Sequence, residues 1–406
     1  MSISQEEFIS LIKRTTNTFA EIFLDFLRKH INYLIIGSFF LSIFFGIIKT
    51  TFFTGFNVDS YQYYAESLEK WIKTGTPDDL FNIFYARNRI VYPLIIAVVH
   101  ILIPIDISLL ACGINLLFAL ANIYLIRRLL FIYEFKRDEV NFLTLFNILS
   151  YNFLNYWFNI ITDMVGLFFF LLMMISLEFF LNKENSAKQK GLYLSLSCFF
   201  LILAIFTREL YILAVLLYFS LIRSRKLRII AIILTIAIVF LLINVDPGAF
   251  PFMNHVIPPE YKSEYLHRDY LTLFLLLQQK WINIPYIQNY FKGLLKTGIL
   301  PAVIIISTSI ITLFIKKGQR FILPIEMDPR KNLNIMSVWC ILFFAIYTIY
   351  YSNVESASGL RYWLPISWIP LAYAAKIIIR YVKIIQIKVL FILFLCLFPL
   401  LWSSLE

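Results

Sequence analysis

Asp59, Asp163, Arg89, Arg208 and Arg361 are charged residues set singly against long apolar runs. A carboxylate in such a place can take a proton from a hydroxyl group within hydrogen-bond reach. An arginine there can hold a phosphate, because its planar fork of donors matches the phosphate oxygens. Together they describe one chemistry: a hydroxyl is activated by a base while an anionic group leaves toward fixed positive charge. Each residue also has a plainer reading. Asp59 can be the N-cap of the helix after it, with Gln62 completing a capping box. Thr162 and Asp163 can cap the run that follows them. Arg208 and Glu209 can be a structural ion pair. Arg87 and Arg89 can snorkel to lipid headgroups, as can Glu355 and Arg361 beside a Tyr-Trp belt.

The elements that must position these charges follow from composition. The 406 residues are 60% hydrophobic and only 15% charged, and the mean hydropathy is +0.77. Soluble domains carry about a quarter charged residues. So much apolar surface does not fit one soluble core, and the chain reads as an all-α polytopic membrane protein. A lone charge beside such a run costs on the order of 2–3 kcal/mol, which clustering opposite charges around one cavity would offset. The net charge of +11 is expected for loops on the cytoplasmic side. Its scattered short clusters argue against a nucleic-acid partner. Cys112, Cys198, Cys340 and Cys396 lie singly inside apolar runs, with no CxxC, and read as small core residues.

Apolar runs near 31–53, 108–127, 140–160, 164–181, 191–207, 210–222, 229–244, 294–315, 333–351, 363–380 and 386–403 predict about eleven transmembrane helices. The run 91–105 is short and contains Pro93 and Pro104. If it does not span, the clusters Arg127/Arg128 with Lys136/Arg137, Lys183/Lys188/Lys190, Arg223 to Arg228, Lys316 to Arg320 and Arg380 to Lys388 share the side of the N-terminus. The positive-inside rule prefers that arrangement and makes 91–105 a juxtamembrane or re-entrant helix on the outer side. The same rule separates 191–207 from 210–222 at Arg208-Glu209. Residues 1–30 read as an interfacial helix on the cytoplasmic face, with Phe8, Ile12, Phe19, Ile22, Phe23, Phe26 and Leu27 near helical spacing. Residues 31–406 then form one membrane unit, with outer loops 54–107 and 245–293. This makes the chain integral to the cytoplasmic (inner) membrane, with the N-terminus on its inner side and the isolated charges at its outer, periplasmic face.

After Asp59, Tyr61, Tyr64, Ala65, Leu68, Trp71 and Ile72 recur at helical spacing, as in an amphipathic interfacial helix. Thr76, Pro77 and Asp79 carry a helix-start signature, which accounts for the Asp78/Asp79 pair without catalysis. The loop 245–293 holds His255, Glu260, Glu264, His267 and Asp269. It lacks HExxH or tight ligand spacing, so no metal is assigned, and a divalent cofactor has no supporting ligand set.

In order, Asp59-x-x-x-Tyr63-Tyr64, Arg89-x-x-Tyr92-Pro93, Thr207-Arg208-Glu209 and Arg361-Tyr362-x-x-Pro365 resemble the membrane glycosyltransferases of the GT-C superfamily, in particular bacterial members. The resemblance is best over the first 220 residues. It implies outer juxtamembrane helices in the first large loop and a polyprenyl-phosphate-linked sugar as donor. It also implies acidic residues in the first two outer loops, the positions of Asp59 and Asp163. Asp59 is followed by Ser60 rather than by a second acid, a departure from many relatives that leaves metal dependence open. The expected roles are Asp59 as base, Asp163 in orienting the acceptor or sharing the proton, and Arg208, Arg361 and Arg89 on the donor phosphate. Tyr63, Tyr64, Tyr92, Glu209, His255, Glu355 and Tyr362 are further site candidates. The acceptor is a lipid, a glycan or a protein.

Three other functions are weighed against this one. A polysaccharide polymerase or ligase would use a lipid-diphosphate donor and arginines, without an essential carboxylate. A lipid or solute transporter would place charges at mid-membrane in repeated halves, and no repeat is visible. A structural assembly protein would not need lone charges at apolar span ends.

Overall fold

The computed structural model describes residues 5–48, 61–74, 90–149, 162–222, 224–226, 229–230, 233, 237, 302–307, 364–380, 382 and 384–404. The secondary structure among them is helical, with no strand. Three helices there are long and apolar enough to cross a membrane: Ile107–Ile132, Asp163–Leu181 and Ala187–Thr207. The predicted spans at 229–244, 294–315 and 333–351 lie largely or wholly outside the described residues.

The first helix, α1 (Gln5–Ile48), runs 44 residues without a break at position 30. At 1.5 Å per residue it is about 66 Å long. Ala20, Leu24, Leu27 and Ile31 form its buried stripe, at the spacing of one helix face, while Phe19, Ile22 and Phe26 stay exposed. The stripe packs α1 against α5 and α10, defined below.

Two short helices follow, α2 (Tyr61–Thr74) and α3 (Val91–Leu102). With 12 residues, α3 reaches only about 18 Å, too short for a span. Pro93 sits in its first turn, where a missing N–H costs little. Ala65 and Leu68 are buried on α2, and α3 offers Val91, Tyr92, Ile96 and Ala97. The two helices pack on each other.

Next comes α4 (Ile107–Ile132), whose N-cap Asp106 accepts a hydrogen bond from the Leu109 N–H at 2.9 Å. It ends in a Schellman motif: Phe135 N–H donates to Leu130 O and Glu134 N–H to Phe131 O, both at 3.0 Å. Glu134 holds the left-handed position, with φ 61°. The short α5 (Arg137–Ile148) starts with the Glu139 carboxylate accepting from Lys136 N–H at 2.8 Å.

α6 (Asp163–Leu181) and α7 (Ala187–Thr207) form a hairpin, the most extensive helix pairing among the described residues. Ser186 and Gln189 cap α7 reciprocally. At Arg208 the backbone becomes extended, with φ −153° and ψ 114°. A 3₁₀ helix (Glu209–Ala214) and α8 (Val215–Leu221) then run back along α7. The return is fixed by Tyr218, whose hydroxyl lies 2.6 Å from Ser197 Oγ, while Ser197 Oγ donates to Met173 O at 3.1 Å. The predicted division at Arg208-Glu209 is thus a chain reversal, and its returning arm is a 3₁₀ helix and a short α-helix in series.

The last described helices are α9 (Leu364–Arg380) and α10 (Ile385–Ser404). The Arg380 guanidinium bonds the fully buried Glu139 carboxylate and, at 3.4 Å, the Glu134 carbonyl. Tyr133 OH donates to Glu178 Oε1 at 3.0 Å, and Lys376 lies 5.2 Å over the Phe135 ring. Lys388 stands within electrostatic reach of Arg28. These contacts gather the segments bearing Arg127, Lys136, Arg137, Arg380 and Lys388 at one end of the bundle. The turn with Lys183, Lys188 and Lys190 lies at that same end, since it joins the Glu178 end of α6 to α7.

Candidate functional site

Asp163 and Arg208 meet at the other end of the α6–α7 hairpin. Arg208 Nε lies 3.5 Å from Asp163 Oδ1, with the two side chains 2% and 3% exposed. That separation is an ion pair, longer than an ordinary charge-assisted hydrogen bond. The helices dictate the meeting. Asp163 occupies the first turn of α6, where the positive end of the helix dipole favours a carboxylate. Arg208 is the C-cap of antiparallel α7, where the negative end favours a cation. Thr162, read from sequence as part of a cap, makes no side-chain capping bond.

The chain reversal places Tyr211 beside the pair. Tyr211 is 1% exposed, stacks on Phe170 with ring centroids 5.4 Å apart, and lies within electrostatic reach of both Asp163 and Arg208. Its ring occupies the space over Gly166, one turn beyond Asp163: a Cβ at Gly166 would come 2.7 Å from Tyr211 Cε2 and 3.5 Å from Arg208 Cβ. Asn122 of α4 braces the same turn, donating from Nδ2 to Met164 O at 2.8 Å. Among the described residues, Asp163 Oδ2, Thr162 Oγ1, Asn122 Oδ1 and Tyr211 OH are buried without a hydrogen-bond partner. Buried polar atoms are nearly always satisfied, so four such atoms around one ion pair single this cluster out as the candidate site.

The depth of the site follows from α4. Asn122 lies 16 residues past the Asp106 cap, so the first part of α4 extends about 24 Å beyond the level of Asp163. The ion pair is recessed between the ends of that helix.

Of the other sequence-predicted site residues, Tyr92 is described in full. It is fully buried and its hydroxyl donates to Ala111 O at 3.3 Å, tying α3 to α4. Tyr63 and Tyr64 lie in the first turn of α2, and Glu209 opens the 3₁₀ helix. Asp59, Arg89, His255, Glu355, Arg361 and Tyr362 lie outside the described residues. The structure therefore brings Asp163 and Arg208 together and adds Tyr211, Gly166 and Asn122, which the sequence reading missed. Gly166 follows Asp163, and Tyr211 follows Arg208, by three residues each, a spacing that in apolar runs is no signal by itself. Among the described residues no group of three or more His, Cys, Asp or Glu side chains is arranged to hold a metal ion.

Comparison of the chain with protein-family models, with curated proteins and with solved structures returned no match.

Proposed function

We propose that this chain is an integral membrane glycosyltransferase of the GT-C type, which moves a sugar from a polyprenyl-phosphate donor to an acceptor hydroxyl at the outer face of the cytoplasmic membrane. The observation that carries the proposal is the buried Asp163–Arg208 pair, at the end of the bundle remote from the basic turns. With those turns in the cytoplasm, the pair lies at the outward end of the α6–α7 hairpin, recessed about 24 Å below the outer end of α4, and a lipid-borne sugar phosphate from the outer leaflet must reach down to it.

The reaction is a direct displacement. Asp59 takes the proton of the acceptor hydroxyl, the acceptor oxygen bonds to the anomeric carbon, and the bond from that carbon to the phosphate oxygen breaks. Polyprenyl phosphate leaves with the electron pair, and the anomeric centre inverts. Arg208, Arg361 and Arg89 hold the negative charge that grows on the leaving phosphate. The ion pair adjusts the role of Asp163: it keeps the Arg208 guanidinium charged and aimed in apolar surroundings, where an unpaired cation would be costly. The acceptor is a lipid, a glycan or a protein.

One observation favours a second reading. Arg208 is only 2% exposed, as in an ion pair that merely pins the chain reversal to α6. A lipid-diphosphate polymerase or ligase, or a transporter, would be built around the same pin. The deciding experiment is transfer of radiolabelled sugar from polyprenyl-phosphate donors to membrane extract by the purified chain in nanodiscs. Transfer by the parent, lost in Asp59→Asn and reduced 10²–10³-fold in Arg208→Gln, is the expected result. Full transfer by both variants in a folded state would overturn the assignment.

A further inference from the structure

Arg28 of α1 and Lys388 of α10 stand within electrostatic reach of each other, on the first and last described helices, which pack together. Like charges drawn together repel unless an anion lies with them. The protein's own carboxylates do not supply it. Among the described residues neither cation forms an ion pair with an Asp or Glu, and the only hydrogen bond of Lys388 goes to the neutral Ile379 carbonyl, at 3.2 Å. Asp25 and Glu21 lie one and two turns further toward the start of α1. Of the buried acids at this end, Glu139 is bonded by Arg380 and Glu178 by Tyr133.

Depth says which anion fits. Between Lys29 and Lys49 the chain has no Asp, Glu, Lys or Arg, and α1 rises about 30 Å from Arg28 to its end at Ile48. That is the thickness of a bilayer's hydrocarbon core. Lys388 is likewise the last charge of its helix before Glu406. The two cations thus share one level, where hydrocarbon gives way to lipid phosphate. An apolar strip leads from them into the membrane. Positions 28, 32, 35 and 39 fall on one face of α1, and Ile35 and Phe39 are only partly buried against the core. Phe391, one turn past Lys388, is partly buried too, and Leu390 beside it is exposed. Such a strip, half covered and headed by two cations, suits an acyl chain below a phosphate.

We propose that Arg28 and Lys388 together hold the headgroup phosphate of an anionic phospholipid of the inner leaflet, and that this lipid staples α1 to α10. The arginine fork takes two phosphate oxygens, and the lysine adds a point charge from the facing helix. A zwitterionic headgroup brings its own cation to a place that already holds two, so the site selects by headgroup charge. Basic pockets between spans on the cytoplasmic side recognise anionic headgroups in this way. The site lies at the basic end of the bundle, opposite the Asp163–Arg208 pair, so it is not the place of the proposed sugar donor and stands independently of that reaction.

The test is the thermal unfolding midpoint of the full purified chain in a neutral detergent, with phosphatidylglycerol, phosphatidylcholine or soluble glycerol phosphate added. Phosphatidylglycerol should raise the midpoint by roughly 2–4 °C, and the other two should leave it in place. Arg28→Gln and Lys388→Gln should each remove most of that rise, and the double variant little more, because both act through one phosphate. In detergent alone neither variant should unfold earlier than the parent, since each relieves a repulsion, whereas a side chain that serves only the fold would show a loss. Lys190→Gln, a charge removed elsewhere at the same end, should keep the full rise. An equal rise with phosphatidylcholine, a rise reproduced by glycerol phosphate, or one that survives in the double variant would overturn the site.

Discussion

Asp163 and Arg208 stand 3.5 Å apart at opposite-polarity ends of two antiparallel helices, both shut away from solvent. A pair of this kind is weak evidence for net stability, yet removing one member strands the other charge. Arg208→Met should lower stability by about 3–5 kcal/mol. Adding Asp163→Asn to it should recover much of that loss, because the stranded carboxylate is gone. Thermal unfolding of the four proteins in one detergent measures the coupling. Additive losses would mean that the two side chains do not interact.

Gly166 is fixed by the ring above it. Gly166→Ala places a methyl 2.7 Å from Tyr211 Cε2, and the clash has no flexible side-chain end to absorb it, since Tyr211 is buried against Phe170. The expected cost is about 1–3 kcal/mol. Tyr211→Leu in the same chain should relieve most of it, and unfolding midpoints of the single and double variants would report the rescue.

Arg380 offers the contrast to Arg208. It too meets a buried carboxylate, Glu139, but its own side chain is 27% exposed and Glu139 keeps the Lys136 N–H as a partner. Arg380→Met should therefore cost less than Arg208→Met, on the order of 1–3 kcal/mol. Denaturation of the two single variants side by side gives the ranking. The reverse order would show that the ion pair near the basic turns is the tighter fastening.

Glu134 pays a backbone penalty at φ 61°. A left-handed position costs a residue with a Cβ about 1–2 kcal/mol, while glycine adopts it freely. Glu134→Gly should stabilise the turn by up to about 1 kcal/mol after the entropy of the unfolded glycine is deducted. The Arg380 contact survives, because it is made to the Glu134 carbonyl. A drop in the unfolding temperature would assign the Glu134 side chain a contact that outweighs the strain.

The helical character and the break at Arg208 could be read from residue order, since each is a local matter of apolar period and charge. The gathering of the basic turns at one end could also be read, from the charge bias of the loops. The long α1 could not. A mixed-charge segment followed by an apolar run looks like two elements, and only the buried stripe Ala20–Leu24–Leu27–Ile31 against α5 and α10 shows why one helix passes through both. At the site, Asp163 and Arg208 were visible as misplaced charges. Their pairing was not, because it depends on a reversal that brings residues from two sides of a hairpin together. Tyr211 and Gly166 were hidden for the same reason: a tyrosine and a glycine in apolar runs carry no signal until the ring is seen to fill the glycine's gap.

The hydrogen bonds that join Met173, Ser197 and Tyr218 form a rung across three segments. Ten residues separate it from Asp163 on the first, from Thr207 on the second and from Arg208 on the third. The two α-helical segments are thus cut to one common length, and the third, partly 3₁₀ helix, closes on them with the same number of residues, like the odd leg of a tripod. A single residue added to either α-helical leg would turn everything beyond it by about 100° and slide it by about 1.5 Å, so the rung and the ion pair could not both close. The spacing between the two charges and the rung is thus itself part of what the chain encodes.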